Sequence, residues 1–331
     1  MIAERALQRL GLVPAPGLPT QVHLSVTDRC FLPCLHCDIY KNKTEDLPEE
    51  VWANTIDRLA GWLGPASVNF VGGEPLLRKD LERLMGRATR LGFTVSFNTN
   101  GWLLTDARAA ALADAGVSIA YVSMDGIHPA TVDHSRGRAG SLQKAMEAAD
   151  RLERHRQPRV VVACVLHGKN AAEIPALLQW CKDKGRELVV QPLYQSFGEN
   201  AHQPGWWRHS PLWPAAEELP QIDAALDVLA AERAAHGKVC NTVAQLQAFK
   251  NHFRHPDRYN GQVCKAGYSD IAFDPAGNIR LCYFLEPVGN LLQDQPDQLW
   301  NSLRAMRRRH EVSRCPRACN LLNCNFERGD G

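Results

Sequence analysis

The segment TDRCFLPCLHCD, residues 27–38, follows a short β-rich run. Its cysteines, Cys30, Cys34 and Cys37, have the spacing C-x3-C-x2-C. Three thiolates at this spacing can bind three irons of a cubic iron–sulfur cluster and leave the fourth iron open to a substrate or cofactor. A zinc site completed by His36 or by a distant side chain is the alternative, because structural zinc takes four protein ligands. The segment therefore predicts a metal centre on a loop after the first strand.

Around this loop, a β-rich run followed by a helical run repeats six times between about residues 20 and 195. The β-rich runs are Val22–Val26, Ser67–Val71, Thr94–Thr99, Ile119–Met124, Val160–Leu166 and Glu187–Pro192. Strands that alternate with helices predict a parallel sheet with right-handed crossovers. We therefore predict an α/β fold, a partial (β/α)6 TIM-like barrel, with reactive groups on the loops that follow the strands.

The 11 cysteines of this 331-residue chain are odd in number and clustered, with three in Cys30–Cys37 and five in Cys264–Cys324. Disulfide scaffolds normally pair their cysteines, and the N-terminus does not read as a secretory signal. We therefore predict a cytoplasmic protein whose clustered thiols serve metal or redox chemistry.

Charge and hydropathy exclude other classes. Thirty-eight basic residues against 36 acidic ones leave a net charge of +2, which does not favour a nucleic-acid or anionic-membrane binder. The longest apolar run, Val160–Leu166, is far too short for a membrane span. We expect neither a nucleic-acid partner nor a membrane span.

Glycine-rich or polar turns follow the later β-rich runs. They are Gly72-Gly73-Glu74-Pro75, Asn98-Thr99-Asn100-Gly101 and Ser123-Met124-Asp125-Gly126, followed by DHSRGRAGSL at residues 133–142. Glycines permit close approach of a ligand to the backbone, and short polar side chains suit recognition of hydroxyl groups. A fixed guanidinium such as that of Arg136 suits a carboxylate.

Together with the three cysteines, these motifs resemble the radical S-adenosylmethionine (SAM) superfamily. The resemblance implies a [4Fe–4S] cluster on Cys30, Cys34 and Cys37, whose open iron chelates SAM. It further implies reductive cleavage of SAM to a 5′-deoxyadenosyl radical that abstracts a substrate hydrogen. An aromatic residue often precedes the third cysteine in the family, and here that residue is His36.

The resemblance also implies a SAM-binding set. In the family, the GGEP turn grips the ammonium, Ser123 and Asp125 lie near the ribose, and Arg136 reaches the carboxylate. Asn170 and Gln191 match positions of adenosine contacts, and Asp125 is alternatively a turn cap. The predicted cofactor contacts are His36, Gly72, Gly73, Glu74, Pro75, Asn100, Ser123, Asp125, Arg136 and Gln191.

Near the C-terminus, Cys264, Gly277 and Cys282 have the spacing C-x12-G-x4-C, and a Pro/Gly turn between the cysteines predicts a β-hairpin. This element resembles the SPASM/twitch extension of radical SAM enzymes. The chain then ends in C-x3-C-x4-C, formed by Cys315, Cys319 and Cys324. Five thiols suffice for one auxiliary [4Fe–4S] cluster, on Cys264, Cys282 and two of the last three. A zinc ribbon is the alternative.

These patterns divide the chain into four parts: an N-terminal helix at 1–19, the barrel at 20–198, a linker with helices at 199–262, and a small cysteine-rich hairpin and helix extension at 263–331. Helices are expected at Leu219–His236 and Val243–Phe253. The extension is too small for a strong core of its own, so a metal centre would help to stabilise it.

The resemblance implies a radical SAM oxidoreductase or maturase, supplied with electrons by a donor such as flavodoxin or ferredoxin. An auxiliary cluster favours a net oxidation by dehydrogenation, decarboxylation or cross-linking. Only 29 residues precede Cys30, too few for the leader-binding domain of many peptide-maturing relatives, so a small metabolite is the favoured substrate. A peptide-maturing enzyme and a non-catalytic iron–sulfur or zinc protein are the alternatives. Candidate catalytic groups are Asp125, Tyr268, Asp270, Asp274 and the loop at Trp206 and Trp207.

Overall fold

Six parallel strands form the barrel part of the sheet, each within one residue of its predicted bounds. The computed structural model describes residues 17–195, 202–258 and 264–322. The strands are β1 Gln21–Thr27, β2 Ser67–Gly72, β3 Thr94–Thr99, β4 Ile119–Ser123, β5 Arg159–Leu166 and β6 Glu187–Pro192. They lie side by side in chain order, so each crossover leads to the adjacent strand. The predicted partial barrel is confirmed, as an open sheet. Residues 1–16, which hold most of the predicted N-terminal helix, lie outside the described residues.

Helices connect the strands and continue after β6. They are α1 Glu49–Leu63, α2 Leu81–Arg90, α3 Asp106–Asp114, α4 Pro129–Arg136, α5 Ser141–Leu152, α6 Ile174–Asp183, α7 Leu219–Ala235, α8 Val243–Arg254, α9 Pro296–Trp300 and α10 Leu303–Ser313. The Thr105 hydroxyl caps α3 by accepting from the Arg108 N–H, and α1 ends at Gly64, whose φ is 66°.

The two faces of each strand have different surroundings. On β1, Val22, Leu24 and Val26 are fully buried and belong to the core that packs the sheet on the helices. The alternate residues, His23 and Ser25, line the barrel interior. Because successive side chains point to opposite faces of a strand, this alternation places an apolar layer outside and polar groups inside. The interior is therefore open to a ligand.

The C-terminal hairpin continues the main sheet. Strand β7, Asp270–Phe273, pairs in parallel with β1, and β8, Asn278–Arg280, pairs antiparallel with β7. A short β9, Gly289–Asn290, completes a nine-stranded sheet among the described residues. The hairpin follows the sequence prediction, whereas its pairing with the barrel does not, since the extension was expected as a separate module.

At the other edge of the sheet, a segment after α7 covers β6. The Leu188 N–H donates to the Lys238 carbonyl, and the Cys240 N–H donates to the Leu188 carbonyl. One residue further on, the Asn241 side-chain amide accepts from the Val190 N–H at 2.7 Å and donates to the Val190 carbonyl at 2.9 Å. The side chain thus continues the pairing that the backbone began. No described helix is both long and apolar enough to cross a membrane.

Candidate active site

The barrel interior is a cavity of about 1070 Å³. Most of the residues predicted for cofactor, metal or catalytic roles line it. These are Cys30, Cys34, His36, Cys37, Gly72, Gly73, Asn100, Ser123, Arg136, Gln191, Cys264, Asp270, Asp274, Cys282, Cys315 and Cys319. The predicted residues Glu74, Pro75, Asp125, Asn170, Trp206, Trp207 and Tyr268 lie outside the lining, and Cys324 lies outside the described residues. Thiols from the two distant clusters therefore share one cavity.

The first thiol loop follows β1 and turns its sulfurs towards N–H groups. The Cys30 sulfur accepts from the Phe31 and Leu32 N–H groups, and the Asn100 amide nitrogen lies 3.9 Å from it. The Cys37 sulfur accepts from the Ile39 N–H. Burial raises the pKa of Cys37 to about 12, so the thiol holds its proton until a metal replaces it. Hydrogen bonds to sulfur are the usual second shell of an iron–sulfur cluster.

The GGEP turn after β2 packs directly against this loop. A Cβ on Gly72 would stand 2.1 Å from the Thr27 carbonyl oxygen, and one on Gly73 would stand 2.4 Å from that of Arg29. Both are far below any allowed contact, so only glycine fits at either position. The Gly73 N–H donates to the Thr27 carbonyl at 2.8 Å, which fixes the turn beside the cysteines.

Glu74 holds the turns after β2 and β3 together. Its carboxylate accepts from the Leu76 N–H at 3.1 Å, the Thr99 hydroxyl at 2.9 Å and the Asn100 N–H at 2.8 Å. Burial raises the pKa of Glu74 to about 7 in spite of these donors. The Glu74 carboxylate is thus occupied by donors of the protein itself. Asn100, which follows β3, lines the cavity.

Asp125 and Arg136 form a buried ion pair behind the loop, with Arg136 Nη2 donating to Asp125 Oδ1 at 2.7 Å. Asp125 also accepts from the Val165 N–H and the Ser135 hydroxyl. Burial opposes ionisation of Asp125, but the Arg136 charge prevails and lowers its pKa to about 2. Arg136 donates to the Cys34 sulfur as well, and its Nε has no partner among the described residues. Arg136 therefore has a donor left for a further acceptor in the cavity.

His36 and Asn170 lie around the same pair. His36 lines the cavity, and its Nδ1 has no partner among the described residues. Burial and the Arg136 charge lower the pKa of His36 to about 3, so the ring is neutral. The Asn170 amide donates to the Asp125 and Val165 carbonyls, which ties β4 to β5. His36 thus has a ring nitrogen available to a ligand, and Asn170 connects the ends of β4 and β5.

The second thiol set contains Cys264, Cys282, Cys315 and Cys319. Electrostatic coupling links Cys319 to the other three, so all four lie close together. Cys264 precedes β7 and Cys282 follows β8. The Cys264 sulfur accepts from the Ala266 N–H, and the Cys282 sulfur accepts from the Phe284 and Leu285 N–H groups. Burial raises the pKa of Cys264 to about 12. Cys315 and Cys319 are the C-terminal members of this set among the described residues.

Residues 24–181 match the model of the radical SAM superfamily. The chain therefore contains a radical SAM domain and is an enzyme. A non-catalytic iron–sulfur or zinc protein, the alternative of another class, is not supported.

Individual relatives extend this match. A protein named PqqA peptide cyclase from Rhodopseudomonas palustris is 27% identical over 332 residues, which covers 95% of this chain and 81% of that protein. The crystal structure of Streptococcus suis SuiB bound to S-adenosylmethionine has a TM-score of 0.70 at 15% identity, covering 91% of this chain and 70% of SuiB. Native anSMEcpe with bound AdoMet has a TM-score of 0.66 at 17% identity, covering 87% of this chain and 82% of that one. At such identities the two structures establish a shared fold.

The radical SAM family uses a [4Fe–4S] cluster and SAM, and the cavity wall fits both. The three-cysteine loop provides thiols with N–H donors around them, and the free Arg136 Nε suits a carboxylate. No three His, Cys, Asp or Glu side chains among the described residues converge on a point where one metal ion would be held. Thiolates of a cubic cluster bind separate irons and need no such convergence.

Among the catalytic candidates, Asp270 has the surroundings best suited to taking up a proton. Burial raises its pKa to about 7, and its Oδ1 has no partner among the described residues. Asp274 is committed to Arg280 and to the hairpin turn, and the Tyr268 hydroxyl donates to the Arg309 carbonyl. Trp206 and Trp207 belong to an aromatic cluster outside the cavity lining.

A row of polar side chains crosses the barrel interior and was not predicted from the sequence. His23, Asn69 and Ser96 occupy matched positions on β1, β2 and β3, and the Ser96 hydroxyl donates to Asn69 Oδ1 at 3.1 Å. Burial lowers the pKa of His23 to about 4. The signal was present as polar residues at alternate positions of otherwise apolar strands, where a packed barrel carries Val, Ile or Leu.

Proposed function

We propose that this radical SAM enzyme carries out a net oxidation of a peptide, with a second iron–sulfur cluster beside the substrate cavity. The observation that carries the proposal is the single cavity whose wall holds both thiol sets. The match to the protein named PqqA peptide cyclase covers 95% of this chain and thus extends beyond residues 24–181 into the extension. This match favours the peptide-maturing alternative over the small metabolite that the sequence had favoured.

Cys30, Cys34 and Cys37 would hold the first cluster. Arg136 would donate its free Nε to the SAM carboxylate while Asp125 keeps the guanidinium in place. The GGEP turn, Asn100, Ser123, Gln191 and His36 form the proposed remainder of the SAM site. When bound and reduced, cluster and SAM supply the one-electron chemistry that removes a hydrogen atom from the substrate.

Cys264, Cys282, Cys315 and Cys319 would hold the auxiliary [4Fe–4S] cluster. A net two-electron oxidation removes one hydrogen atom first, and then one electron and one proton. The auxiliary cluster is the proposed acceptor of that electron. Asp270 is the proposed acceptor of the proton, because a carboxylate whose pKa is about 7 takes up a proton readily at neutral pH.

Electrons for the first cluster would come from a small one-electron carrier, flavodoxin or ferredoxin. No disulfide joins two of the described cysteines, and a reducing cytoplasm keeps thiols in that state, so we propose this compartment for the enzyme.

Anaerobic turnover tests the proposed function. The purified chain is reconstituted with iron and sulfide, reduced, and incubated with SAM and a synthetic copy of a short peptide encoded beside its gene. We expect formation of 5′-deoxyadenosine that depends on the peptide, together with loss of two hydrogens from the peptide by mass spectrometry. Deuterium placed in the peptide should appear in 5′-deoxyadenosine.

Parallel reactions with a sugar, an aminocyclitol and a tetrapyrrole test the alternative substrate class. Conversion of one of these, with the peptide unchanged, would overturn the peptide proposal and leave the radical SAM assignment intact. Asp270→Asn should slow turnover, whereas Asp297→Asn on α9, outside the cavity lining, should behave as the parent.

A further inference from the structure

The two thiol sets flank the barrel interior at opposite ends of strand β1. The first thiol loop follows Thr27, the last residue of that strand. At the other end, β7 pairs in parallel with β1 and brings Asp270 beside Gln21. Cys264 precedes β7, and Cys282 follows β8, which runs antiparallel to β7 and so returns towards the Asp270 end. A strand rises about 3.3 Å per residue, so Gln21 and Thr27 are about 20 Å apart. The cavity therefore extends along β1 between the two sets.

The polar row of His23, Asn69 and Ser96 crosses the cavity between these ends. The three side chains occupy matched positions on β1, β2 and β3, and all of them line the cavity. His23 is paired with Ala272 on β7, so Asp270 faces the same interior from the adjacent strand, two residues nearer the amino end. A substrate group that contacts His23 would therefore bring its neighbouring atoms close to Asp270, the proposed proton acceptor.

Polar atoms in and beside the row lack hydrogen-bond partners. His23 Nε2 is buried without a partner among the described residues, although the side chain lines the cavity. Two residues after Ser96 on β3, Asn98 Oδ1 is likewise buried and unpaired in the part of the chain that the structure describes. Ser96 and Asn69 are bonded to each other. Because a buried polar atom without a partner is unfavourable, a ligand that supplies one gains binding free energy here.

The charges around the row indicate which ligand group fits. His23 is neutral, since burial lowers its pKa to about 4. The cation at the matched position on β5 is Arg159, which lies beyond Ile119 and is paired with Glu187. A carboxylate in the row would therefore lose its water without gaining a free counter-charge. A hydroxyl or an amide can both donate and accept, as a neutral imidazole does. The row thus favours an uncharged polar group.

We propose that the polar row is a substrate-binding subsite for a hydroxyl or amide group, with His23 as its specificity-determining contact. The inference rests on the proposed function and adds which kind of peptide residue is oxidised: one whose side chain carries such a group. His23 fixes this side chain along β1 between the first thiol loop and Asp270. The subsite itself makes and breaks no covalent bond.

Steady-state turnover of the reconstituted full chain tests the subsite, with the peptide of the proposed-function experiment as substrate. His23→Phe keeps a ring and removes both nitrogens. We expect kcat/KM for the peptide to fall about tenfold, mainly through KM, because one hydrogen bond is lost and its partner is left unpaired. His23→Gln keeps a donor and an acceptor and should recover most of the loss. His128→Phe, at an exposed position outside the cavity lining, is the matched control and should behave as the parent.

A change in the peptide tests the same contact without altering the enzyme. Mass spectrometry of the product identifies the residue that loses two hydrogens. A second peptide carries at that place an apolar residue of similar shape, such as valine for threonine, phenylalanine for tyrosine or leucine for asparagine. With the parent enzyme this peptide should lose about tenfold in kcat/KM, and His23→Phe should add no further loss, because both changes remove one and the same hydrogen bond.

Three results would overturn the subsite while the proposed function stands. They are an unchanged kcat/KM in His23→Phe, losses from the enzyme and peptide changes that multiply, and oxidation at a residue whose side chain is charged or wholly apolar. If His23→Phe does not fold, the altered peptide with the parent enzyme decides: an undiminished kcat/KM would contradict the subsite. A parent enzyme that converts no peptide would overturn the proposed function, and this inference with it.

Discussion

Two sets of thiols line the same cavity, but they are assembled in different ways. Cys30, Cys34 and Cys37 lie on one loop, and the turns after β2 and α4 pack against its backbone. Cys264, Cys282, Cys315 and Cys319 come from both flanks of the hairpin and from the segment after α10. The first set thus depends on one loop, whereas the second depends on bringing two distant segments of the extension together.

Because of this difference, we expect loss of a ligand to affect catalysis alone in the first set, and both catalysis and stability in the second. Loss of a ligand from the first set should abolish one activity and leave the fold intact. Loss of a ligand from the second set should also destabilise the extension, because a bound cluster contributes folding free energy to the segments it links. The predictions below use this contrast, beginning with the largest effect.

Replacement of Cys30, Cys34 and Cys37 by alanine should reduce SAM cleavage to background, since the open cluster would lose its three proposed ligands. About four of roughly eight irons should remain, held by the second set. Chromatography of 5′-deoxyadenosine and an iron assay measure both quantities. Cleavage above background in this variant would show that the loop is not the site of the first cluster.

Cys319→Ala should remove the second cluster and lower the iron content from about eight to about four, with SAM cleavage retained and substrate oxidation lost. Cys181→Ala, a buried thiol on α6 outside the cavity lining, is the control and should keep all its iron. If Cys324→Ala loses iron and Cys319→Ala does not, the fourth ligand is wrongly assigned.

Asp125→Ala should lower the free energy of unfolding by about 3–5 kcal/mol, because Arg136 would stay buried without its counter-charge. Chemical denaturation of the full chain measures this. Glu49→Ala removes an exposed partner of Arg83 and should leave the midpoint nearly unchanged. Equal losses in the two variants would mean that the pair behind the first loop is not a buried one.

His252 packs against Tyr194 and Trp206 and tests the segment that follows β6 through pH. Burial lowers its pKa from 6.5 to about 4 in the folded protein, so the unfolded chain binds a proton more readily. Its effect on stability is absent above pH 6.5 and grows as the pH falls towards 4, where about 3 kcal/mol has been lost. His252→Gln should lose less stability across this range than the parent, while His209→Gln, at an exposed position, should follow the parent curve. Parallel curves for all three proteins would contradict the assignment.

The smallest effects concern helix caps in the two regions. The Thr105 and Ser302 hydroxyls cap α3 and α10, and replacing either by alanine should cost about 1 kcal/mol. Only Ser302→Ala should also reduce the iron held by the second set, because α10 leads into Cys315. Iron assays on both variants, beside denaturation curves, distinguish a general loss of stability from a local one.

The sequence predicted β1–β6, the first loop and the hairpin because each depends on a short pattern of residues. It did not predict that β7 joins β1, since strand pairing between distant segments leaves no local pattern. Nor did it predict that Asp125 binds an arginine and Glu74 a backbone N–H of the protein itself. A sequence motif reads the same whether its carboxylate faces a cofactor or another protein group.

The cover on β6 has a consequence for how the protein behaves among other chains. An open strand edge is a template on which foreign strands add and aggregates begin. Here Asn241 supplies from its side chain the donor and acceptor that a neighbouring strand would have offered to Val190. The backbone groups of Leu188 and Val190 are therefore already paired, and this part of the edge offers no template to a foreign strand.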